Sequence, residues 1–414
     1  MKYSNYLFGM LIMITLSAYS FRAEWGFWGH RKINRMAVFT LPAEMAGFYK
    51  KHIEYITEHA VDPDKRRYAT RHEAVRHYID IDHWGTYPYD NVPRDWTAAL
   101  MQHTQFGIIN GKGDTCTYKL RTALAPKFPS DSKALVFRSV GCANRHSITA
   151  KEYKKYFIEN ILPQYYEDKW QMSCEDWQKL TRKAVDCETV IVEEHFSEHG
   201  IVPYNLVHMQ ARLTKAFERK DVERILRLSA EMGHYVGDAH VPLHTTTNYN
   251  GQLTDQVGIH AFWESRLPEL FADEDYDFFV GRAEYIEDPQ TYYWDVVLAS
   301  HILVDTVLAI EKELSEIFPE DQQFCFEERL NRTIRTQCRA YALAYHQKMD
   351  GMVERRMRDA VRSIGSAWYT AWIDAGQPDL GDFYVKDVKA SEEDEEVDKK
   401  YKDGRIIGRK HDAF

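Results

Sequence analysis

The segment His234-Tyr-Val-Gly-Asp238-Ala-His-Val-Pro-Leu-His244 carries the strongest structural signal in this chain of 414 residues. It closes an amphipathic stretch that begins near Asp221, has helical periodicity and stops before Pro242. Because His234 and Asp238 are four residues apart, their side chains project from the same face of the predicted helix. The proline turns the chain, so His244 can return toward that face. The segment therefore predicts a helix that ends in a group of metal-ligand side chains.

A second pair repeats this arrangement at His260-Ala-Phe-Trp-Glu264, again with an imidazole and a carboxylate one helical turn apart. Neutral imidazole nitrogens and carboxylate oxygens are ligands that zinc accepts. One such pair on a helix surface is common and would be weak evidence for a metal. Here apolar residues such as Val236 and Phe262 surround both pairs, and ionisable groups in such company need partners or a metal. The two pairs together with His244 predict a metal site.

Helical periodicity covers most of the rest of the chain. The further helical tracts are Arg31 to Ile56, Leu206 to Phe217, Trp294 to Phe318 and Asn331 to Asp374. Residues from about 85 to 205 contain Pro, Gly and four of the six cysteines, and they are predicted to form a long insertion with short helices. Since strand-like alternation is scarce, the sequence predicts an all-α, multi-helix fold.

The two ends of the chain differ in composition from the predicted helical domain, residues 25–380. At the N-terminus, Lys2 precedes an apolar run from Leu7 to Leu16 and then small residues, which is typical of a signal peptide within residues 1–24. The cleavage point stays open. The charged tail, residues 381–414, contains a run of five acidic residues from Glu392 and is predicted to be disordered.

The six cysteines occur as neighbours along the chain. An even number of cysteines in an exported chain favours disulfides, and no spacing typical of a thiolate zinc site is present. The simplest hypothesis pairs the neighbours: Cys116 with Cys142, Cys174 with Cys187, and Cys325 with Cys338. Together with the signal peptide, these cysteines predict a periplasmic or secreted protein.

The net charge of −10 argues against a protein that holds nucleic acid through a broad basic face. It does not exclude an enzyme that meets phosphates at a metal cluster, where the bound cations are the largest local charges.

The order of the candidate ligands resembles that of the S1/P1 nucleases and the related bacterial zinc-dependent phospholipases C. The resemblance covers Trp25 to His77 and about Leu206 to near Gly376. It implies three zinc ions in the cleft of a helical fold. By position, the first zinc would be held by Asp62, His77, His234 and Asp238, the second by His244, His260 and Glu264, and the third by His30, a bridging Asp238 and the amino and carbonyl groups of Trp25.

The same resemblance implies catalytic roles for three further positions. Lys65 matches a basic residue beside the phosphate, Asp80 matches an acid near the cluster, and Asp62 would double as a proton acceptor. The expected reaction is hydrolysis of a phosphodiester P–O bond.

The substrate class remains open between the two branches of the superfamily. The start Trp25-Gly-x-x-Gly-His30 looks like the nuclease branch, whereas Glu264 in place of Asp looks like the phospholipase branch. A nuclease or 3'-nucleotidase acting on nucleic acid or nucleotides is favoured. The alternatives are a phospholipase C acting on phosphoglycerides and a non-catalytic exported zinc-binding protein. No stable protein partner is expected, and the chain is predicted to be a monomer.

Overall fold

Strands as well as helices build this protein, so the prediction of an all-α fold is wrong. Helices take up 59 % of the residues and strands 12 %, the latter in a six-stranded antiparallel sheet and a two-stranded one. The computed structural model describes residues 27–403 except 68, 141, 143–144, 165–168, 330–331, 382 and 384–391. The chain divides into two compact units, one of Met1–Ile79 with Asn205–Phe414 and the other of Asp80–Tyr204.

Short helices begin the first unit. They are α1 (Phe27–Ala37), α2 (Ala43–Lys51), α3 (Ile53–Glu58), α4 (Asp62–Arg66) and α5 (Arg71–Ala74), with 3-10 turns at Val38–Thr40 and His59–Val61. The buried face of α1 includes Asn34, whose amide donates to the carbonyl of Ala230 at 2.9 Å. This bond satisfies a polar group in the core and fixes α1 against the helix that carries the quoted segment.

The second unit contains the larger sheet. Its elements are α6 (Trp96–His103), β1 (Thr104–Ile109), β2 (Thr115–Leu120), β3 (Ala134–Val140), β4 (Arg145–Thr149), α7 (Ala150–Tyr156), β5 (Lys169–Met172), α8 (Cys174–Thr181) and β6 (Thr189–Glu194). The strand order is β4-β3-β2-β1-β6-β5. Phe106 lies opposite both Tyr118 and Val192, and its ring packs against Trp177 of α8. One face of the sheet is therefore an aromatic core.

The failure of the all-α prediction has a local cause. The strands of the second unit are four to seven residues long, and turns, helices and polar residues separate them. The available signal was the β-branched content of Thr189–Glu194 and of Ala134–Val140, which is typical of strands. The two-stranded sheet of the first unit was not predicted either. Its second strand lies at the beginning of the tract that was predicted as helix from Asn331.

Long helices dominate the rest of the chain, which belongs to the first unit from Asn205 onward. In chain order the elements are α9 (Val202–Glu218), α10 (Val222–Ala239), α11 (Ile259–Ala261), α12 (Leu267–Asp275), α13 (Pro289–His301), α14 (Val304–Ile317), α15 (Glu320–Gln323), β7 (Phe324–Arg329), β8 (Arg332–Gln337), α16 (Arg339–Lys348), α17 (Met352–Asp374) and α18 (Glu392–Asp403). A π-helical turn at Phe262–Arg266 joins α11 to α12, and a 3-10 turn at Pro242–Thr245 follows α10. The charged tail, for which the composition predicts disorder, thus contains α18.

One stretch, Pro289–Ile317, which spans α13 and α14, is long and apolar enough to cross a membrane by length and composition, and 33 % of its most apolar window is buried. A core helix of a soluble protein can meet the same criteria, so this is weak evidence for a membrane span.

Three disulfides join the neighbouring cysteines, and the predicted pairing is confirmed. The bonds are Cys116–Cys142, Cys174–Cys187 and Cys325–Cys338, the first two within the second unit and the third within the first. Each closes a short loop, which removes conformational freedom from the unfolded chain. The predicted signal peptide and Trp25 lie outside the described residues.

The close packing of α17 gives a test of the fold. At Gly365 an added Cβ would collide with the hydroxyl of Thr40, which itself donates to the carbonyl of Ala37. We expect Gly365→Ala to lower the free energy of unfolding by about 1–3 kcal/mol through overpacking. Gly47→Ala, at an exposed helical position with open space around it, should raise it by about 0.5–1 kcal/mol. Urea unfolding of both variants measures the difference, and equal effects would contradict this packing.

Candidate metal centre

Helix α10 places His234 and Asp238 on one buried face, as their spacing predicts. The two side chains are almost completely inaccessible to solvent. The Nδ1 of His234 donates to the carbonyl of Ala60 at 2.8 Å, which leaves its Nε2 directed toward Asp238 Oδ2 at 3.3 Å. A hydrogen bond of this kind fixes the tautomer and the orientation of a metal-ligating imidazole.

His77 approaches the same carboxylate from the segment that follows α5. Its Nδ1 lies 2.9 Å from Asp238 Oδ2 and 3.1 Å from His234 Nε2. Two imidazole nitrogens and one carboxylate oxygen therefore meet at a single buried point, and their donor atoms all lie within 4.8 Å of one another.

The acid that joins this point from α4 is Asp64, where the resemblance implied Asp62. Asp64 Oδ1 lies 3.8 Å from His234 Nε2 and 3.9 Å from His77 Nδ1. Two residues correspond to about 200° of rotation on an α-helix, so the side chain of Asp62 projects from the opposite side of α4. Asp62 instead accepts from Lys65 Nζ at 2.9 Å and contacts His59 Nδ1 at 2.5 Å. The position of each residue around α4 determines which of the two acids faces His77 and His234. The order of the residues in the sequence did not predict this.

Beyond α10, the 3-10 turn returns His244 toward the helix, as expected from Pro242. His244 Nδ1 donates to the carbonyl of His77 at 2.6 Å, and its Nε2 lies 3.4 Å from Glu264 Oε2. His260 Nδ1 donates to the carbonyl of Tyr249 at 3.0 Å, and its Nε2 lies 2.7 Å from the same carboxylate oxygen. These three side chains form a second group whose donor atoms converge.

His30, on α1, connects the groups. Its Nε2 lies 3.4 Å from Asp238 Oδ1 and also 3.4 Å from Glu264 Oε1. Asp238 thus offers one oxygen to His77 and His234 and the other to His30, as a bridging carboxylate would. The structure brings together every predicted side-chain ligand except Asp62.

The donor set and its burial fit metal ions. The groups that could hold an ion are His30 with Asp64 and His234, His77 with His234 and Asp238, His244 with His260 and Glu264, and His30 with Asp238 and Glu264. If the five imidazoles were neutral, the three carboxylates would leave a buried negative charge without compensation, which is unfavourable. Imidazole and carboxylate are ligands that suit zinc and several other divalent metals.

Proton binding would compensate the same charge in the absence of metal. Burial lowers the pKa of His30, but the bond to Glu264 and the charge of Asp238 outweigh it and raise this pKa to about 9. Burial raises the pKa of Asp238, yet His234 and His244 hold it well below its ordinary value. The carboxylates of the cluster are therefore stable only with positive charge beside them. Metal cations would supply that charge while the imidazoles stay unprotonated.

A network behind His77 was not predicted from the sequence. Glu73 is buried, accepts from Arg66 Nε at 3.3 Å and Arg76 Nη1 at 3.0 Å, and receives the hydroxyl of Tyr235. Its carboxylate lies 3.7 Å from His77 Nε2. Burial raises the pKa of Glu73, but the arginines and His77 lower it below its ordinary value. The one available signal was the spacing of four residues between Glu73 and His77.

Two of the predicted catalytic residues occupy α4, and the third belongs to the other unit. Lys65 and Asp62 form a partly buried pair, and the ring of the neighbouring His59 stacks on Tyr55 at 3.9 Å. Asp80 is the first residue of the second unit, where its amide donates to the carbonyl of His199 at 2.7 Å.

No family model, curated protein or solved structure matches this chain. The case for a metal site therefore rests on the geometry of these side chains and on the residue pattern that predicts them.

The choice between the two acids of α4 is directly testable. Asp64→Asn keeps the shape of the side chain but removes the charge that faces His77 and His234, so bound metal per chain should fall and the metal affinity should drop by about 10- to 100-fold or more. Asp62→Asn, two residues away, should leave the metal content unchanged. Elemental analysis after dialysis against a weak chelator measures both. Loss of metal in the Asp62 variant alone would overturn this assignment.

Proposed function

We propose that this cluster holds three zinc ions and that the chain is an exported phosphodiesterase of the nuclease or 3'-nucleotidase type. One observation carries the proposal: five buried imidazoles converge on three carboxylates, of which the central one, Asp238, is buried and contacts imidazoles through both oxygens. The first zinc would be held by Asp64, His77, His234 and Asp238, the second by His244, His260 and Glu264, and the third by His30 with Asp238 and Glu264. Three ions bridged in this way resemble the centre expected from the residue order.

When bound, zinc ions lower the pKa of a water molecule toward neutrality and polarise a phosphoryl oxygen. The residues of the chain contribute positioning and charge. Backbone carbonyls of Ala60, His77 and Tyr249 hold three imidazoles in the required orientation. The Lys65 ammonium, held by Asp62, would offset charge on the nonbridging oxygens of the phosphate.

Asp62 takes a revised role in this proposal. Burial raises its pKa, but His59 and Lys65 lower it below the ordinary value, so the carboxylate is ionised at neutral pH. As a partner of Lys65 and His59 it is a positioning residue, and its lowered pKa makes it a weaker proton acceptor than an ordinary aspartate.

The aromatic pair beside Lys65 supports a nucleic-acid substrate. Tyr55 and His59 are stacked and only partly buried, and His59 contacts the same carboxylate that holds Lys65. Partly exposed rings beside a cation are typical of sites that stack bases while a basic group meets the phosphate.

A phospholipase C acting on phosphoglycerides is the second candidate, and a different observation favours it. The loop between His244 and His260 exposes Leu253 and Val257, at 70 % and 52 % of their surfaces. Ile302, next to His301, which contacts Thr245, is exposed as well. Apolar side chains around a metal centre suit contact with lipid.

Export is part of the proposal because the three disulfides are compatible with an oxidising compartment. Two substrates presented to the zinc-loaded protein decide between the branches. Chelator-sensitive cleavage of single-stranded nucleic acid supports the nuclease, and cleavage of phosphatidylcholine vesicles supports the phospholipase. Bound zinc without either activity would contradict the enzymatic proposal and favour a zinc-binding protein.

Two variants separate metal binding from charge stabilisation. His234→Ala removes a ligand of the first zinc, so most of the activity should be lost together with bound zinc. Lys65→Ala should lower kcat by about 10²-fold, in the range of a lost transition-state donor, while zinc stoichiometry stays constant. Kinetics and elemental analysis of the same preparations test this pair. Full activity of the His234 variant would contradict the metal assignment.

The aromatic pair predicts a substrate-dependent effect. Tyr55→Ala should raise KM for single-stranded nucleic acid by roughly 5- to 150-fold, since base stacking is worth about 1–3 kcal/mol. Hydrolysis of bis(p-nitrophenyl) phosphate, which has no base, should change little. Tyr285→Ala, at an exposed tyrosine in a different segment, serves as the control. Equal losses on both substrates would show that Tyr55 has no role in base binding.

A further inference from the structure

The carboxylate of Glu264 reaches the cluster from a π-helical turn, Phe262–Arg266, which joins α11 to α12. The turn closes with a bond from the amide of Leu267 to the carbonyl of Phe262, five positions back instead of the usual four. Isolated π-helical turns are rare and occur frequently at functional sites. Because this turn sets the direction of the Glu264 carboxylate, the contacts that hold the turn also set the geometry of the groups that the carboxylate joins.

Arg266, the last residue of the turn, is bound to the two-stranded sheet of β7 and β8. Its side chain is 1 % exposed. Its Nε and Nη2 donate to the carbonyl of Gln337 at 3.2 and 3.0 Å, and its Nη1 donates to Glu327 Oε2 at 3.0 Å. Nη2 also donates to the other carboxylate oxygen of Glu327, so this ion pair is bidentate. The planar guanidinium makes these bonds in one orientation only, which fixes the end of the turn.

A disulfide holds the two acceptors of Arg266 close together. Cys325 lies on β7, two residues before Glu327, and Cys338 directly follows Gln337 at the end of β8. The Cys325–Cys338 bond joins the two strands at this end of the sheet. A two-stranded sheet alone is marginally stable in water, and the covalent bond restricts the alternatives that its strands can adopt. The carbonyl and the carboxylate therefore meet the guanidinium from a braced position.

The first residue of the turn is held by the same part of the chain. The ring of Phe262 is buried and packs against Tyr341 at 5.5 Å and Tyr345 at 4.8 Å, both on α16. Helix α16 begins two residues after β8 ends. The segment 324–348 thus contacts both ends of the π-helical turn, and Glu264 lies between these contacts.

Stability alone is a weak reason for a buried arginine in an ion pair at this place. The cost of desolvating two charges offsets most of their attraction, and apolar side chains of similar volume often stabilise a protein as well or better. The pair provides directional bonds, which apolar packing does not supply. Since Arg266 follows Glu264 by two residues, a rotation at the arginine would move the carboxylate away from its imidazole partners.

We propose that Arg266 and Glu327, 61 residues apart in sequence, are positioning residues of the metal centre and act through Glu264. The proposal rests on the zinc cluster described under the proposed function. One oxygen of Glu264 faces the imidazoles of the second zinc and the other faces that of the third. Loss of the ion pair should therefore weaken these two ions. The first zinc has no ligand on the turn and should keep its affinity.

Glu327→Gln tests this assignment, because it keeps the shape of the side chain and removes the charge that holds the guanidinium. The metal-free, full-length protein is titrated with zinc in competition with a chelating dye. We expect two ions to bind about 10- to 100-fold more weakly and one to bind as before. Glu328→Gln is the matched control, since it removes the same charge from the next residue of β7, whose exposed carboxylate receives the hydroxyl of Thr333. All three affinities should stay unchanged in the control.

The selectivity between the three ions separates positioning from a general loss of stability, which would weaken all of them to the same extent. Anomalous maps at the zinc edge identify the ions: in Glu327→Gln the peak beside His77 and His234 should keep its height while the other two fall. Arg266→Lys, which keeps the charge but lacks the planar fork, is the second variant and should show the same selectivity.

Three unchanged affinities in both variants, or equal weakening of all three ions, would overturn the positioning role and leave the metal centre in place. An unaltered protein that binds no zinc would instead overturn the metal centre, and the positioning role with it. The two failures are therefore distinguishable in one set of titrations.

Discussion

The burial of the Asp238 carboxylate is the constraint on which the first unit depends. An ionised carboxylate in a protein interior is strongly unfavourable unless positive charge or hydrogen bonds surround it. Here the neighbours that lower its pKa are His234 and His244, and Glu264 and Asp64 add further negative charge close by. Cations would stabilise this concentration of negative charge, and the histidines that contact Asp238 have side chains that can bind metal cations.

The helices and nearby backbone carbonyls fix the orientation of the side chains around Asp238. Helix α10 carries the central pair, and carbonyls of three other segments each accept from the outward nitrogen of one imidazole. The carboxylate of Glu73, which is paired with arginines, lies beside the ring nitrogen of His77 that faces away from Asp238. Side chains held in this manner lose little conformational freedom if they bind a metal ion, which would favour affinity and a defined geometry.

The sequence predicted the parts of this site that depend on local periodicity. The spacings His234-x3-Asp238 and His260-x3-Glu264 predicted shared helical faces, and neighbouring cysteines predicted the disulfides. It did not distinguish Asp64 from Asp62, because that choice depends on how one turn of α4 is rotated against α10. It also missed the sheet, since short strands separated by turns have weak periodicity and gain their stability from pairing with segments distant in sequence.

Anomalous diffraction at the zinc absorption edge tests the central claim most directly. Crystals of the protein purified without chelator would be measured on either side of the edge. If the cluster holds three zinc ions, three peaks appear only above the edge: one beside His77 and His234, one beside His244 and His260, and one between His30 and Asp238. A refined site with these side chains in place and no anomalous peak among them would show that the cluster holds no zinc.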